Sequence, residues 1–309
     1  MPIIVARKTV AILNEQEDFK ANLIERERIA LERLLSSRHH HIIPLLASYT
    51  HRNNYCMLMP RARMNLWQFF DGKTTADWYR PLHTYGLKDA MYTSICCLIS
   101  ALAFLHNLPV KRGLATESIQ ALSHHDLKPQ NLLVFEDRIV IADFGLSSLN
   151  AVDYTKTELQ GTTYTYGPPE LFGEPPVKFG RKADIWSMAC VFLEIMSFVS
   201  HGLHGGGVER FSQWREDGPR KHLYSTSEDE GSKDKSFHNN MDVVDLWLEE
   251  LDQRQAYDQD EVGRDMLKII VQMMSLDPDG RPSSLEAERL FQPIASKLQT
   301  GEVCECRSN

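Results

Sequence analysis

The stretch from His124 to Gly145 constrains this 309-residue chain more than any other. It reads His124-His125-Asp126-Leu127-Lys128-Pro129-Gln130-Asn131, then Leu132-Leu133-Val134, a turn at Phe135 to Arg138, a second apolar run Ile139-Val140-Ile141-Ala142, and Asp143-Phe144-Gly145. Short apolar runs on either side of a polar turn predict an antiparallel hairpin. A hairpin returns the chain to the end it left, so Asn131 and Asp143 should converge despite their separation in sequence. One amide oxygen and one carboxylate at the same place suit magnesium. That ion takes hard oxygen ligands, usually only one or two from protein, and completes its shell with phosphate and water.

Upstream, 14–37 is predicted as a helix with Phe19, Leu23, Leu31 and Leu34 on one stripe. Glu27 falls on that stripe, four residues from both Leu23 and Leu31. A lone carboxylate facing inward is costly and requires a cationic partner. Glu25 is rotated by roughly 200° on the same helix and should face water. Strands are predicted over 3–10, 42–49 and 55–59, the last two joined by a turn at 50–54. After Pro60 the pattern turns helical near 65–70 and 92–107, then to the hairpin, then to helices again. Two stretches read as inserted loops: 107–123, with Pro109 and Gly113, and 201–240, with its glycines at 205–207 and a serine-rich run of mixed charge. No internal repeat is evident.

Composition narrows the function classes. With 34 basic and 42 acidic residues the formal charge is -8, which repels a polyanion, so nucleic acid is not expected as a partner. A content of 42% hydrophobic and 25% charged residues is that of a folded globular chain. The apolar run at the N-terminus is too brief for a signal peptide, and the apolar segments 95–105 and 185–199 fall short of a bilayer span, so neither secretion nor a membrane anchor is expected. Six scattered cysteines suit reduced thiols in an intracellular protein, cytoplasmic or nuclear. Cys306 lies fourth from the end, but Arg307, Ser308 and Asn309 lack the aliphatic character of a prenylation signal. The triple His39, His40, His41 is expected to be structural, since neighbouring side chains on extended chain do not converge on a metal.

The run HHDLKPQN followed by DFG resembles the catalytic loop and metal-binding motif of the eukaryotic protein kinases. Further segments follow in that family's order. Gly161 to Glu170 is similar to the end of a kinase activation loop, with Pro168 where alanine is usual. Asp184-Ile185-Trp186-Ser187 looks like the start of the central helix, and Asp277 to Pro282 resembles the late arginine motif. The resemblance implies a buried ion pair between Glu170 and Arg281. It also supplies the cation that Glu27 needs: Val5-Ala6-Arg7-Lys8 looks like the strand carrying the nucleotide-contacting lysine. The implied fold class is α+β. It would be a bilobal protein-kinase-like fold with an incomplete N-lobe over 1–62, a short antiparallel sheet plus one helix, and a mainly helical C-lobe over 63–298, followed by a flexible tail at 299–309.

By the same resemblance, Asp126 would orient the acceptor hydroxyl and take its proton, Lys128 would neutralise the transferred phosphoryl group, and Asn131 with Asp143 would hold Mg2+. Lys8, held by Glu27, would grip the phosphates of ATP, while Met59 would guard the adenine pocket and Pro60 to Ala62 form the hinge. Lys128 two residues after Asp126 resembles the serine/threonine branch, so protein substrates bearing Ser/Thr are implied, with Thr163 bonding Asp126 and Lys128, and Thr162 as runner-up. His124 is expected to pack beneath Phe144. His125 stands where the family usually has arginine, which implies little dependence on phosphorylation at Tyr154, Thr155 or Thr157.

No glycine-rich loop precedes Lys8, so its strand is expected at a sheet edge open to a protein partner, and nucleotide affinity and turnover are expected to be weakened. Three functions therefore stand: a serine/threonine kinase, a pseudokinase-like binding or scaffold module, and, with least support, a small-molecule phosphotransferase.

Overall fold

A computed structural model describes residues 4–11, 18–35, 38–52, 54–71, 78–110, 118–150, 163–173, 180–217 and 234–298. The N-terminal sheet is built from β1 (Val5–Ala11), β2 (Ala47–His51) and β3 (Asn54–Pro60), in the order β1-β3-β2 and antiparallel throughout. Helix α1 (Asp18–Leu35) accompanies it and buries Glu27, Ala30, Leu31 and Leu34. Glu27 thus faces inward as the helical spacing requires, and Glu25 is exposed and paired with Arg28.

The strand expected over 42–49 is displaced. Residues 42–45 lie outside the N-terminal sheet, which Leu46 joins by donating its N–H to Leu58 O at 2.8 Å, and β2 extends through His51, taking in residues expected to turn. The reason is burial: Ile42 and Ile43 are 5% and 1% exposed and lean on the central hairpin instead. Ile43 N–H donates to Ile141 O at 2.9 Å, and Ile141 N–H to His41 O at 2.9 Å. This short run ties the N-terminal sheet to the rest of the fold.

That hairpin forms as its apolar pattern predicts. Strands β7 (Leu132–Val134) and β8 (Ile139–Ile141) pair antiparallel, and the two-residue strand β4 (Met64–Asn65) adds to β7. Asn65 also caps the short helix α2 (Leu66–Phe70), its Oδ1 accepting the Gln68 N–H at 2.9 Å while Gln68 Oε1 accepts the Asn65 N–H at 3.0 Å.

The remainder is helical: α3 (Arg80–His106), α4 (Arg181–His201), α5 (Gly207–Asp217), α6 (Met241–Tyr257), α7 (Glu261–Met273) and α8 (Ser284–Lys297). The apolar segments seen in the sequence are parts of longer helices than expected, although α3 is broken at Gly86, whose φ of 77° and ψ of 170° are not helical. By length and composition α3 and α4 could each cross a bilayer, but 83% and 89% of their apolar windows are buried against neighbouring elements, as in core helices. The two stretches expected as loops also carry structure. In the first, β5 (Leu108–Val110) and β6 (Ser118–Ser123) pair antiparallel, and β6 pairs in turn with β9 (Ser148–Asn150). The second contains α5 and a turn at 234–240 packed into the core. Backbone hydrogen bonding and burial outweighed the glycine and proline signals that suggested loops.

The Glu170–Arg281 pair is present and bidentate, at 2.7 and 2.8 Å, with the guanidinium 5.0 Å from the Trp186 ring centroid. Arg281 also donates through Nε to Ser275 O at 2.7 Å. Arg281→Met leaves the buried Glu170 carboxylate unpaired and should destabilise the chain by about 3–5 kcal/mol in urea unfolding. Adding Glu170→Gln should recover a measurable part of that loss, and strictly additive losses would show that the pair is not coupled.

Candidate active site

Two non-glycine residues adopt left-handed backbone here, His125 and Asp143, each with φ of 65°. Such conformations cost about 1–3 kcal/mol and persist only where the surroundings enforce them. At His125 the enforcing group is Asp184, in the first turn of α4. Its Oδ1 accepts the His125 N–H at 2.8 Å, and its Oδ2 accepts the His124 N–H at 2.7 Å and bonds His106 Nε2 at 2.9 Å. Burial works to raise the Asp184 carboxyl, but the His106 hydrogen bond and the neighbouring histidines hold it down at about 2. The His124 ring lies against Phe144 with centroids 5.0 Å apart and bonds Ala142 O at 3.0 Å, so it is a buried strut, as expected. His125 Nε2 meets Ser148 Oγ at 2.6 Å.

With the loop held, its polar side chains converge. Asp126 Oδ1 accepts from Lys128 Nζ and from Thr163 Oγ1, each at 3.0 Å, and Lys128 Nζ also donates to Thr163 Oγ1 at 2.6 Å. Thr163 therefore makes both expected contacts, whereas Gly161, Thr162, Tyr154, Thr155 and Thr157 lie outside the described residues. Asn131 Nδ2 donates to Asp126 O and Oδ2, both at 2.8 Å, which leaves Asn131 Oδ1 as the amide atom able to meet a cation. The hairpin closes on this point: Ala142 N–H donates to Asn131 O at 2.9 Å, so Asp143 follows one residue later beside Asn131.

The second group of charges is anchored by β1. Lys8 Nζ lies 2.8 and 2.9 Å from the two Glu27 oxygens and 2.9 Å from Asp143 Oδ1. Burial opposes the Lys8 charge, but Glu27 and Asp143 hold the ammonium above its ordinary range. Burial also raises the Glu27 carboxyl while Lys8 pulls it back, so the charge on this carboxylate depends on the lysine. Asp143 is held below the usual carboxylate range, Lys8 overcoming its partial burial. Met59, half-buried on β3, pairs with Ala6 two residues before Lys8, and Ala62 sits half-buried between β3 and β4. Of the candidates, Lys8, Glu27 and Asp143 form one connected set and Asp126, Lys128, Asn131 and Thr163 another, and the β7–β8 hairpin joins the two. Met59 adjoins them through the backbone ladder, and Ala62 follows two residues after the end of β3.

The donor set fits a hard divalent cation with phosphate: Asn131 Oδ1 and a half-exposed Asp143 carboxylate supply oxygens, and Lys8 and Lys128 supply positive charge on either side. Sequence reasoning did not assign the anchoring role of Asp184. Its signal was available, as the single acid opening the apolar run from Ala183 to Leu193.

A family model for the protein kinase domain matches residues 2–292. The chain belongs to the protein kinase family. Its α+β fold, with short antiparallel sheets in the N-terminal part and a mainly helical remainder, is the kinase fold. Among curated kinases it is similar to serine/threonine-protein kinase tousled-like 2 of Xenopus tropicalis, with 32% identity over 133 residues covering 39% of this chain and 18% of that protein. GLH-binding kinase 1 of Caenorhabditis elegans is 32% identical over 128 residues, covering 40% of this chain and 27% of its own length. Cyclin-dependent kinase 2 of the same organism is 36% identical over 105 residues, covering 32% of this chain and 24% of its own length. The matched regions thus span about a quarter or less of these kinases.

Asp184 gives this kinase a specific acid response. Its folded pKa of about 2 lies below the unfolded value of 3.8, so its contribution is complete above about pH 5 and drains away as pH falls toward 2. The difference in unfolding free energy between the wild type and Asp184→Asn should narrow by about 1 kcal/mol between pH 6 and pH 3. A difference that stays constant over that range in urea titrations would contradict this account.

Proposed function

We propose that this protein is an ATP- and Mg2+-dependent kinase that transfers phosphoryl groups to Ser/Thr hydroxyls of protein substrates. The observation that carries the reading is the arrangement of Asp126, whose carboxylate is already shared among Lys128, Thr163 and Asn131. An acceptor hydroxyl entering beside Thr163 would meet Asp126 as the group that orients it and takes its proton. Lys128 would offset charge on the phosphoryl oxygens. Asn131 and Asp143 would hold Mg2+, which when bound neutralises phosphate charge and orients the phosphates. Lys8, kept in place by Glu27, would bind the phosphates of ATP, with Met59 and Pro60 to Ala62 bordering the base. The Ser/Thr preference rests on Lys128 two residues after Asp126, and is supported by Thr163, whose hydroxyl bonds both.

Among the described residues β1 forms one border of the N-terminal sheet. A protein partner supplying a further strand by backbone pairing would fit this border.

The test is transfer of labelled phosphate from ATP to a mixed serine/threonine peptide library. Transfer should require Mg2+, and Asp126→Asn should lower kcat by about 10²–10⁴-fold. Asp143→Asn should abolish the Mg2+-dependent part of nucleotide binding, followed by titration with a fluorescent ATP analogue. Nucleotide binding without any transfer would instead favour a binding module, and a wild-type chain that does neither would sink the kinase reading.

A further inference from the structure

The segment that carries Thr163 is held from two sides, by part of the 201–240 stretch and by α4. On one side a strap over 234–240 grips its backbone and rings. Phe237 N–H donates to Thr165 O at 3.1 Å, His238 Nδ1 bonds Gly167 O at 3.1 Å, and Asn239 Nδ2 donates to Tyr164 Oη at 2.6 Å. The His238 ring stacks on Phe172 with centroids 4.5 Å apart. On the other side α4 reaches the same segment. Ser187 Oγ donates to Tyr166 O at 2.9 Å, and Tyr166 Oη donates to Glu194 at 3.1 and 3.2 Å.

One side chain connects the two sides. Arg215 of α5 donates through Nη2 to Glu194 Oε1 at 3.4 Å and through Nε to Lys235 O, at the start of the strap, at 3.0 Å. Its guanidinium lies between Phe211 and Phe237, 4.1 and 3.9 Å from their centroids. Arg215 and Glu194 are each 1% exposed, and Arg215 Nη1 has no hydrogen-bond partner among the described residues. Burial pushes the Glu194 carboxyl up to about 7, with Arg215 and Tyr166 drawing it back. Helix α5 is seated closely enough for this reach because its first residue is Gly207, where a Cβ would collide with the Ser197 carbonyl. A buried ion pair of this kind, one donor unsatisfied, is a poor device for stability alone, since apolar side chains of similar volume serve as well or better. It is a good device for fixing a direction.

We propose that Arg215 is a positioning residue for phosphoryl transfer: by tying Glu194 to the 234–240 strap it fixes Tyr166 and, three residues upstream, the Thr163 hydroxyl that bonds Asp126 and Lys128. The proposal rests on the kinase reading above. It places no group of Arg215 on the substrate or nucleotide, so its effect belongs in turnover and not in nucleotide affinity.

The experiment uses the full chain and compares wild type, Arg215→Met, Arg215→Lys and Tyr166→Phe. Met keeps apolar volume between the two phenylalanines and removes the charge. Tyr166→Phe removes a single hydroxyl, so it carries the comparison if Arg215→Met does not fold. Arg215→Met and Tyr166→Phe should each lower kcat for peptide phosphorylation about ten-fold, with KM for ATP and Mg2+-dependent nucleotide affinity unchanged. Amide hydrogen exchange over 163–172 should quicken in both, and Arg215→Lys should regain part of the lost kcat. Wild-type transfer with an unaltered kcat in the folded variants, unaltered exchange over 163–172, or a loss confined to nucleotide affinity would each overturn the proposal while leaving the kinase reading standing. A wild-type chain without transfer would overturn the reading on which it rests.

Discussion

A single buried carboxylate, Asp184, organises the chemistry of this fold. Its two oxygens accept the backbone N–H groups of His124 and His125 while His106 holds it from behind. This interaction stabilises a backbone conformation that His125 would not otherwise adopt. Because Asp126 is the next residue, the direction of its carboxylate follows from that of the pinned backbone. The cost of placing an acid in the core is met by full hydrogen bonding, which is the condition under which a buried charge is tolerated.

The helix that carries Asp184 extends the same logic along its length. Residues 183–198 of α4 are all buried, and its few polar side chains tie the helix to separate neighbouring segments. Asp184 takes the catalytic loop, Ser187 and Glu194 take Tyr166, and Ser197 accepts the indole N–H of Trp247 at 2.8 Å. The apolar face supplies the core and the sparse polar groups supply register, so one rigid rod relates Asp126 to the segment bearing Thr163. This division explains why a helix apolar enough to resemble a membrane span lies at the centre of a kinase fold.

The charges at the N-terminal side are related by compensation. Lys8 stands between the buried Glu27 and the half-exposed Asp143, and its ammonium is bonded to both carboxylates. Such a triad joins α1, β1 and the end of β8 by electrostatics instead of apolar packing. Each link shifts the ionisation of the others, Lys8 upward and Asp143 downward. The geometry of these elements is thereby coupled to the ionisation state of the pair that would face a nucleotide.

Much of this was legible from residue order. Two short apolar runs around a polar turn placed the hairpin, the 3.6-residue period placed α1 and the inward Glu27, and the family resemblance named Lys8 as the cation that Glu27 needed. Those inferences succeeded because each depends on local backbone geometry, which decides where a side chain points before any distant contact forms. What failed was non-local. Ile42 and Ile43 read as a strand but were drawn to the central hairpin, and the glycine-marked segment 201–240 yielded a helix whose Arg215 enters the core. The acid opening the apolar run at Asp184 marks a special position, but nothing near Asp184 or Arg215 in the chain names the partners they hold, the 124–125 backbone for one and Glu194 with the strap for the other. Their partners lie from about twenty to nearly eighty positions away, and only packing in three dimensions selects them. Local periodicity therefore determined the elements and motif resemblance named the candidate site residues, whereas tertiary burial decided which charges are held still, because desolvation depends on the neighbours that the finished fold supplies.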